Sequence, residues 1–189
     1  MLILASQSPR RADLLQQIGV PFKQCPVDID ETVSVGEDPA TYVKRMASEK
    51  SAKGWQLNTR NDLVLGADTI VVAKDIILGK PKDKDNFAEM MGLLSANTHK
   101  VVTAVAITSA DRQKTILIET QVSFGPLTNQ QIQWYWQTGE PHDKAGGYGI
   151  QGLGGQFVES IVGSYSAVVG LPLYQTRILL TEFGLINEC

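Results

Sequence analysis

The chain has 189 residues, of which 43% are hydrophobic and 20% charged, and its 17 Lys and Arg residues against 20 Asp and Glu residues give a net charge of −3. This composition excludes a disordered or fibrous chain and predicts one compact domain, or two small lobes that share a core. The slightly acidic balance argues against nucleic acid and anionic membrane as partners, because both attract a surplus of positive charge.

The cysteines and the N-terminal residues indicate a cytoplasmic protein. Cys25 and Cys189 are too few for a disulfide framework and lack the spacing of a zinc site, so we expect two reduced thiols. The apolar run at residues 1–5 is shorter than the core of a signal peptide, and glycines and a proline interrupt the longest uncharged stretch. The sequence therefore predicts neither export nor a membrane span.

Strands and helices alternate from the first residues onward. Residues 2–5 are typical of a short buried strand, and a Ser-Pro pair predicts a helix that begins at Pro9 and ends at Gly19. Apolar residues spaced by three and four predict a second helix over residues 39–55, with Lys50 on its otherwise apolar face.

The remaining elements continue this alternation. The predicted strands are 63–73, 76–78, 101–108 and 115–124, and the predicted helices are 83–95, 128–138 and 174–183. Thr128 caps its helix, and Ile132, Tyr135 and Trp136 are expected to be buried. Eight of the 17 glycines fall within residues 146–170. The predicted fold class is therefore α/β with a mixed sheet.

The first candidate site lies where the N-terminal strand gives way to a helix. Two hydroxyls and two guanidinium groups, from Ser6, Ser8, Arg10 and Arg11, occur together there. Backbone N–H groups at a helix start favour an anion, and arginine can bind phosphate oxygens in bidentate fashion. The alternative is a helix that Ser8 caps, with exposed arginines.

The second candidate is an acid within the predicted strand 63–73. Alternation places Asp68 on the same face as Val64 and Ile70. A carboxylate there costs free energy unless it is paired, hydrogen-bonded or bound to metal, and buried ionisable groups concentrate at active sites. The alternative is a strand that breaks at Gly66 and leaves Asp68 in a surface turn.

Lysines and acids elsewhere complete a candidate site for a polyphosphate. Lys50, and Lys80 in a Gly-Lys-Pro turn, would with Arg10 and Arg11 supply four cations. Either lysine alone is more often a surface residue. The acidic run that ends at Glu31 could hold a hard divalent cation through carboxylate oxygens, the alternative being a solvated acidic turn.

The sequence excludes three common classes of nucleotide-binding or hydrolytic protein. No GxxxxGK[ST] motif is present, which excludes a P-loop NTPase, and no GxSxG elbow supports a serine hydrolase. A GxGxxG pattern occurs at residues 147–152, but no strand precedes it and glycines at 154 and 155 stop a following helix. The acid that would bind a ribose is also missing, so a dinucleotide site is rejected.

Several motifs occur in order along the chain: ASQSPRR, Glu31, Glu49-Lys50, GADT, GKP, GEPHDKAGGYGIQG and GSYSAVVGLPL. In this combination, from Leu4 to about Leu173, the sequence resembles the Maf family of nucleoside triphosphate pyrophosphatases, or septum-formation-inhibitor proteins. The resemblance implies hydrolysis of a nucleoside triphosphate to the monophosphate and pyrophosphate, assisted by Mg²⁺ or Mn²⁺. It also implies a homodimer, and an elongated, twisted mixed sheet flanked by helices, with a substrate cleft between two lobes, as in inosine triphosphate pyrophosphatases.

The resemblance assigns roles to individual residues. Asp68 matches the catalytic acid that accepts a proton from water, and Glu31 matches an acid implicated in handling metal or water, so these two are the candidate metal ligands. The positions that line the phosphates are matched by Ser6, Arg11, Lys50 and Lys80. Asp68, Lys50, Lys80 and Glu31 are thus the predicted catalytic residues.

Arg10, Thr69 and Gln151 match positions that separate the subgroups of the family and contact the substrate. The subgroup that acts on 7-methyl-GTP carries an aromatic residue, a glutamine and a glutamate at these positions, whereas this chain follows the pattern of the dTTP/UTP pyrophosphatases. Gln151 offers a donor and an acceptor to uracil or thymine, and a glutamate would only accept. The alternatives are specificity for 7-methyl-GTP or ITP, or a nucleotide-binding regulator of cell division that turns triphosphates over poorly.

Overall fold

The computed structural model describes residues 1–58 and 62–187. The strands are β1 Leu2–Leu4, β2 Phe22–Gln24, β3 Leu63–Ala73, β4 Ile76–Leu78, β5 Thr98–Thr108, β6 Gln113–Phe124 and β7 Val158–Val162. The helices are α1 Pro9–Gln17, α2 Pro39–Leu57, α3 Lys84–Leu94, α4 Asn129–Gln137, α5 Tyr165–Val169 and α6 Leu173–Glu182, and short 3-10 helices occupy Glu140–Asp143, Ala145–Gly147 and Leu153–Phe157. Cys25 is a free, half-buried thiol, and the other predicted thiol, Cys189, lies outside the described residues.

All of these strands belong to one sheet. Its order is β2-β1-β3-β5-β6-β7, and β4 pairs with β3. β1 runs parallel to both β2 and β3, whereas β4 is antiparallel to β3 and β7 is antiparallel to β6. The predicted α/β class with a mixed sheet is confirmed.

The chain divides into two compact units. The first unit contains the described residues of Met1–Asp68, Thr103–Ile118 and Gly170–Cys189, and the second contains Thr69–Val102 and Glu119–Val169. The three long strands β3, β5 and β6 each contribute residues to both units. The cleft that the family resemblance implies stays a prediction.

In the first unit, α2 meets β3 backbone to backbone. A Cβ added to Gly66 would lie 2.5 Å from both the carbonyl oxygen of Ala47 and the amide nitrogen of Ser51. A Cβ on Gly54 of α2 would lie 2.8 Å from the side chain of Val64. Real Cβ atoms do not come so close to their neighbours, so these two glycines are what allows the helix to lie directly on the strand.

A network of polar side chains, in which Ser51 and Thr108 are buried and Gln113 is exposed, holds the same part of α2 to β5 and β6. The hydroxyls of Ser51 and Thr108 lie 2.7 Å apart, and Gln113 Nε2 donates to Thr108 Oγ1 at 2.8 Å and to the carbonyl oxygen of Ser48 at 3.0 Å. Buried polar groups that satisfy one another in this way fix a single arrangement of the elements that carry them. Lys50 lies on α2 between Ser48 and Ser51, so its backbone position is set from two sides.

The second unit is built around buried aromatic rings, contributed by Phe87, Phe124, Tyr135, Tyr148 and Phe157. The ring centroids of Phe124 and Tyr148 are 4.8 Å apart, and those of Tyr135 and Phe157 are 5.1 Å apart, both in edge-to-face arrangements. Such pairs add to the free energy gained from burial. Tyr148 and Phe157 come from the glycine-rich part of the chain, so this part is anchored in the core.

The predicted elements are present with small shifts at their ends. The predicted strands 63–73 and 76–78 match β3 and β4, and Thr128 forms the predicted cap of α4. Among the described residues, the elements that were not predicted are the edge strands β2 and β7, the short helix α5 and the 3-10 helices. Trp136 is half-buried, not buried as predicted, because it lies between the rings of Phe87 and His142 at the surface. No helix in the described part of the chain is long and apolar enough to cross a membrane.

Candidate active site

The ammonium group of Lys50 connects two carboxylates. Its Nζ lies 2.8 Å from Oδ1 of Asp68 and 2.6 Å from Oε1 of Glu31. The side chains of Lys50 and Asp68 are 12% and 14% exposed, whereas that of Glu31 is 52% exposed. The structure therefore brings three predicted site residues together, with one side of the cluster open to solvent.

The contact between α2 and β3 explains why Lys50 and Asp68 meet. Asp68 lies within a continuous strand, so the alternative of a strand break at Gly66 is wrong. Gly66 and Asp68 are two residues apart and therefore point to the same face of β3, the face on which α2 lies. Ser51 touches Gly66, and Lys50 precedes Ser51 on the helix, which places the ammonium beside the carboxylate.

Glu31 belongs to an irregular segment that α2 holds in place. The hydroxyl of Tyr42 donates to the carbonyl oxygen of Glu31 at 2.9 Å. Arg45 donates to the carbonyl oxygen of Thr32 at 2.9 Å and to the carboxylate of Glu37 at 2.7 Å. Tyr42 and Arg45 are not among the predicted site residues, because in sequence they look like ordinary core and surface residues of a helix.

The charges of the cluster act on Tyr42. Burial, and then the negative charges of Asp68 and Glu31, raise the pKa of Tyr42 to about 12. The phenol therefore stays protonated at neutral pH and keeps its role as a donor to the backbone of Glu31.

The loop between β1 and α1 supplies the predicted anion-binding groups. Ser6 is 6% exposed, and its Oγ accepts from the backbone N–H of Ser8 at 3.1 Å and from the guanidinium of Arg11 at 3.4 Å. Arg11 Nε also donates to the carbonyl oxygen of Gly170 at 2.9 Å, and Ser8 caps α1 as predicted. Arg10, in the first turn of the same helix, is partly buried.

The two carboxylates that Lys50 contacts also influence the pKa of Arg11. Burial lowers the pKa of Arg11, and the negative charge of Asp68 is the largest influence that opposes this. A guanidinium remains charged in any case, so it is a permanent cation beside the acids. The alternative of exposed arginines is wrong for Arg11, whose guanidinium donates to Gly170 and Ser6 and is half-buried.

The other predicted residues belong to the second unit. Thr69 follows Asp68 on β3 and is half-buried, whereas Lys80 and Gln151 are exposed. The turn at Lys80 is tied to the glycine-rich segment, because the N–H of Gly146 donates to the carbonyl oxygen of Gly79 at 3.0 Å. Gly146 has a φ of +69°, a conformation that glycine adopts without strain.

Two acids of the cluster, Asp68 and Glu31, are the described residues that could contribute ligands to a hard divalent cation. In the parts of the chain that are described, no three His, Cys, Asp or Glu side chains gather where a metal ion could bind. Glu31 and Asp68 do converge on one point, the Nζ of Lys50. Mg²⁺ is commonly held by one or two carboxylates together with substrate phosphates and water, so two carboxylates are a sufficient donor set.

The sequence is similar to those of known proteins along nearly its whole length. The model of the Maf-like proteins matches residues 1–183. A dTTP/UTP pyrophosphatase of Pseudoalteromonas atlantica is 57% identical over 100% of both chains, and one of Vibrio parahaemolyticus is 48% identical over 96% of both chains. The structure of a HAM1 protein from Coxiella burnetii, 13% identical, covers 96% of this chain and 98% of its own with a TM-score of 0.51, a likeness of fold alone. With this match over residues 1–183, the chain belongs to the Maf family.

Proposed function

We propose that this chain is a nucleoside triphosphate pyrophosphatase that hydrolyses dTTP and UTP to the monophosphate and pyrophosphate. The observation that carries the proposal is the Lys50 ammonium held between Asp68 and Glu31, with the cationic Arg11 under the influence of the same acids. The names of the relatives that are 48% and 57% identical support dTTP and UTP as the substrates.

Asp68 is the proposed general base. Its carboxylate oxygen accepts a proton from a water molecule, and the water oxygen forms a bond to the α-phosphorus. The bond between the α-phosphorus and the bridging oxygen breaks, and pyrophosphate leaves with that electron pair. The position of Asp68 on a packed strand, with a side chain 14% exposed, keeps the base oriented while leaving room for water.

The cations stabilise the charge that develops on the leaving pyrophosphate. Arg11 and Ser6, at the start of α1, offer a guanidinium, a hydroxyl and the nearby helix N-terminus to phosphate oxygens. Lys50 is already desolvated and needs little reorganisation to exchange a carboxylate for a phosphate. Lys80 and Arg10 are proposed as further cations on the strength of the family resemblance.

A divalent cation, Mg²⁺ or Mn²⁺, is proposed to bind to Glu31 and Asp68 together with the triphosphate. When bound, it would neutralise phosphate charge and favour attack at phosphorus. Lys50 would keep its bond to one acid or pass to the phosphates, and Tyr42 would continue to hold the backbone of Glu31 in place.

Gln151 is proposed to recognise the base, with Arg10 and Thr69 as further specificity residues. Its side chain is exposed, and its amide offers a donor and an acceptor to the edge of a uracil or thymine ring. Specificity for 7-methyl-GTP would instead suit a residue that only accepts, such as glutamate, facing the donating edge of the methylated guanine.

The competing class is a nucleotide-binding regulator of cell division that turns triphosphates over poorly. Its site has no need of a carboxylate placed within an apolar strand beside a lysine, which costs free energy to build. The paired Asp68 and Lys50 therefore favour the enzyme. Assembly as a homodimer is also proposed, on the family resemblance alone, and a cytoplasmic location is proposed on the cysteines and the N-terminal residues.

A panel of triphosphates tests this function. Purified protein is incubated with Mg²⁺ or Mn²⁺ and dTTP, UTP, dCTP, ITP or 7-methyl-GTP, and released pyrophosphate is measured. Fastest release from dTTP and UTP is expected. Preference for 7-methyl-GTP or ITP would contradict the specificity, and tight dTTP binding without turnover would establish the regulator instead. Sedimentation of the same sample tests the homodimer.

A further inference from the structure

In the second unit, the carboxylate of Glu140 and the hydroxyl of Tyr135 together bind the backbone on both sides of Gln151. Oε1 of Glu140 accepts from the N–H of Gly154 at 3.0 Å and from the hydroxyl of Tyr135 at 2.7 Å, and Oε2 accepts from the N–H of Leu153 at 2.9 Å. The hydroxyl of Tyr135 in turn accepts from the N–H of Gly149 at 3.1 Å. The backbone before and after Gln151 is thus bound to a single acid and its phenol partner.

Two glycines make room for this arrangement. A Cβ on Gly152 would lie 2.3 Å from Oε2 of Glu140, and a Cβ on Gly154 would lie 2.4 Å from the hydroxyl of Tyr135. Any side chain at either position would push the acid or the phenol away from the loop. Gly152 and Gly154, which both follow Gln151, therefore leave the space that the hydrogen bonds of Glu140 and Tyr135 need.

The acid is suited to act as a permanent acceptor. Burial alone would raise the pKa of Glu140, but the hydrogen bonds from Tyr135, Gly154 and Leu153 more than compensate and lower it. Its backbone carbonyl also accepts from Lys144 Nζ at 2.7 Å, which fixes the start of the segment. Hydrogen bonds to a charged acceptor are stronger than those between neutral groups. The hydrogen bonds that the Glu140 carboxylate accepts are therefore expected to be strong.

We propose that Glu140 is a positioning residue for substrate specificity: its carboxylate fixes the turn at residues 149–154 so that the amide of Gln151 meets the pyrimidine base. The inference rests on the proposed function, in which Gln151 recognises the base. In this role Glu140 contacts neither the phosphates nor the attacking water. Its effect on the reaction passes through Gln151.

The isosteric variant Glu140→Gln isolates this contact. Its side-chain amide has one oxygen in place of two, so one of the three donors that face Glu140 must meet another donor, and no cavity is made. Glu159→Gln, an exposed glutamate of β7 in the same unit, is the matched control. Kinetics with dTTP are measured for both variants, for Gln151→Ala and for the double variant Glu140→Gln with Gln151→Ala.

The proposal expects an effect on binding that depends on Gln151. Glu140→Gln should raise the KM for dTTP about tenfold and leave kcat nearly unchanged, since a small displacement of a recognition group weakens its contact. In the Gln151→Ala background the same change should have almost no effect, because coupled residues are not additive. Amide hydrogen exchange at residues 149–154 should be faster in Glu140→Gln, and Glu159→Gln should match the unmodified protein in both measurements.

Other results overturn the proposal, and they can be told apart. A normal KM in Glu140→Gln, or a tenfold rise that persists in the Gln151→Ala background, would show that Glu140 does not act through Gln151. An unchanged KM in Gln151→Ala would remove base recognition by Gln151, and with it this inference. Failure of the unmodified protein to hydrolyse dTTP and UTP would overturn the proposed function itself.

Discussion

The two units place their candidate functional side chains by different means. In the first unit, Lys50 and Asp68 lie on a helix and a strand that touch at Gly66, and both side chains are mostly buried. In the second unit, Lys80 and Gln151 lie on exposed turns. Regular elements can hold reacting groups to within fractions of an ångström, and turns can present a side chain to a ligand.

A turn can thus be held in one conformation by side-chain contacts, without belonging to a helix or a strand. The turn around Gln151 gains order from the acid Glu140 and from Tyr148, whose ring is buried among aromatic residues. In the first unit, packed backbone supplies the order; in the second, charge-assisted hydrogen bonds and anchored rings supply it. Each mechanism predicts a different response to mutation and to pH.

The largest expected effect is that of removing the proposed base, Asp68, from the first unit. Asp68→Asn keeps the shape of the side chain and loses the proton acceptor, so kcat for dTTP should fall about 1,000-fold. Asp111→Asn, an exposed aspartate in a turn, serves as the control. Near-normal pyrophosphate release by folded Asp68→Asn would show that another group accepts the proton.

Removal of the cation next to Asp68 should have the second largest effect. Lys50→Met keeps the length of the side chain and leaves Asp68 without its ammonium partner, so kcat/KM should fall about 100-fold. Lys53→Met changes an exposed lysine of the same helix and should have no such effect. If the two variants show equal kcat/KM values, the charge of Lys50 is irrelevant to the reaction.

The backbone contact of the first unit can be tested by one methyl group. Gly66→Ala would place a Cβ 2.5 Å from two backbone atoms of α2, so the free energy of unfolding should fall by about 3 kcal/mol. Gly92→Ala is the control, since Gly92 lies in α3 and a Cβ there meets nothing within 4 Å, so a slight gain from helix propensity is expected. Thermal unfolding of both variants measures the difference, and equal melting temperatures would mean that α2 can shift freely on β3.

The smallest expected effect is a loss of stability at low pH that comes from a histidine of the second unit. His99 donates or accepts one hydrogen bond with the hydroxyl of Tyr148 at 2.8 Å, and burial lowers its pKa from 6.5 to about 4. Between these values the unfolded chain binds more protons than the folded one, so this contribution to stability is present above pH 6.5 and is lost as the pH falls toward 4.

Urea unfolding at a series of pH values measures this contribution. The unmodified protein should lose about 2 kcal/mol more than His99→Gln between pH 6.5 and pH 4, because glutamine does not titrate in this range. Parallel pH profiles for the two proteins would contradict the assignment of the effect to His99.

The sequence predicts most of the fold and the centre of the candidate site. Hydrophobic periodicity locates β3, β4, α2 and α4, because these elements bury a continuous face. Asp68 is recognisable since a carboxylate is unexpected in an apolar strand. Lys50 is recognisable because it lies on the otherwise apolar face of its helix.

The supporting residues could not be predicted in the same way. Tyr42 and Arg45 act on residues 31–37 of an irregular segment, and Glu140 acts on a turn fourteen residues away. Such contacts depend on how loops fold back on the core, which no local pattern encodes. β2 escapes prediction because it has only three residues, with none of them buried.

The arrangement of Lys50 between two acids also bears on which ions can compete for the site. Lys50 contacts both Asp68 and Glu31, and Arg11 feels the charge of the same two acids, so cations and anions lie side by side in this site. A lone chloride or potassium ion brings only one sign of charge, whereas both acids are already paired with Lys50. A triphosphate that arrives with its own metal ion can satisfy both signs of charge at once, which makes charge balance itself a filter against the common ions of the cell.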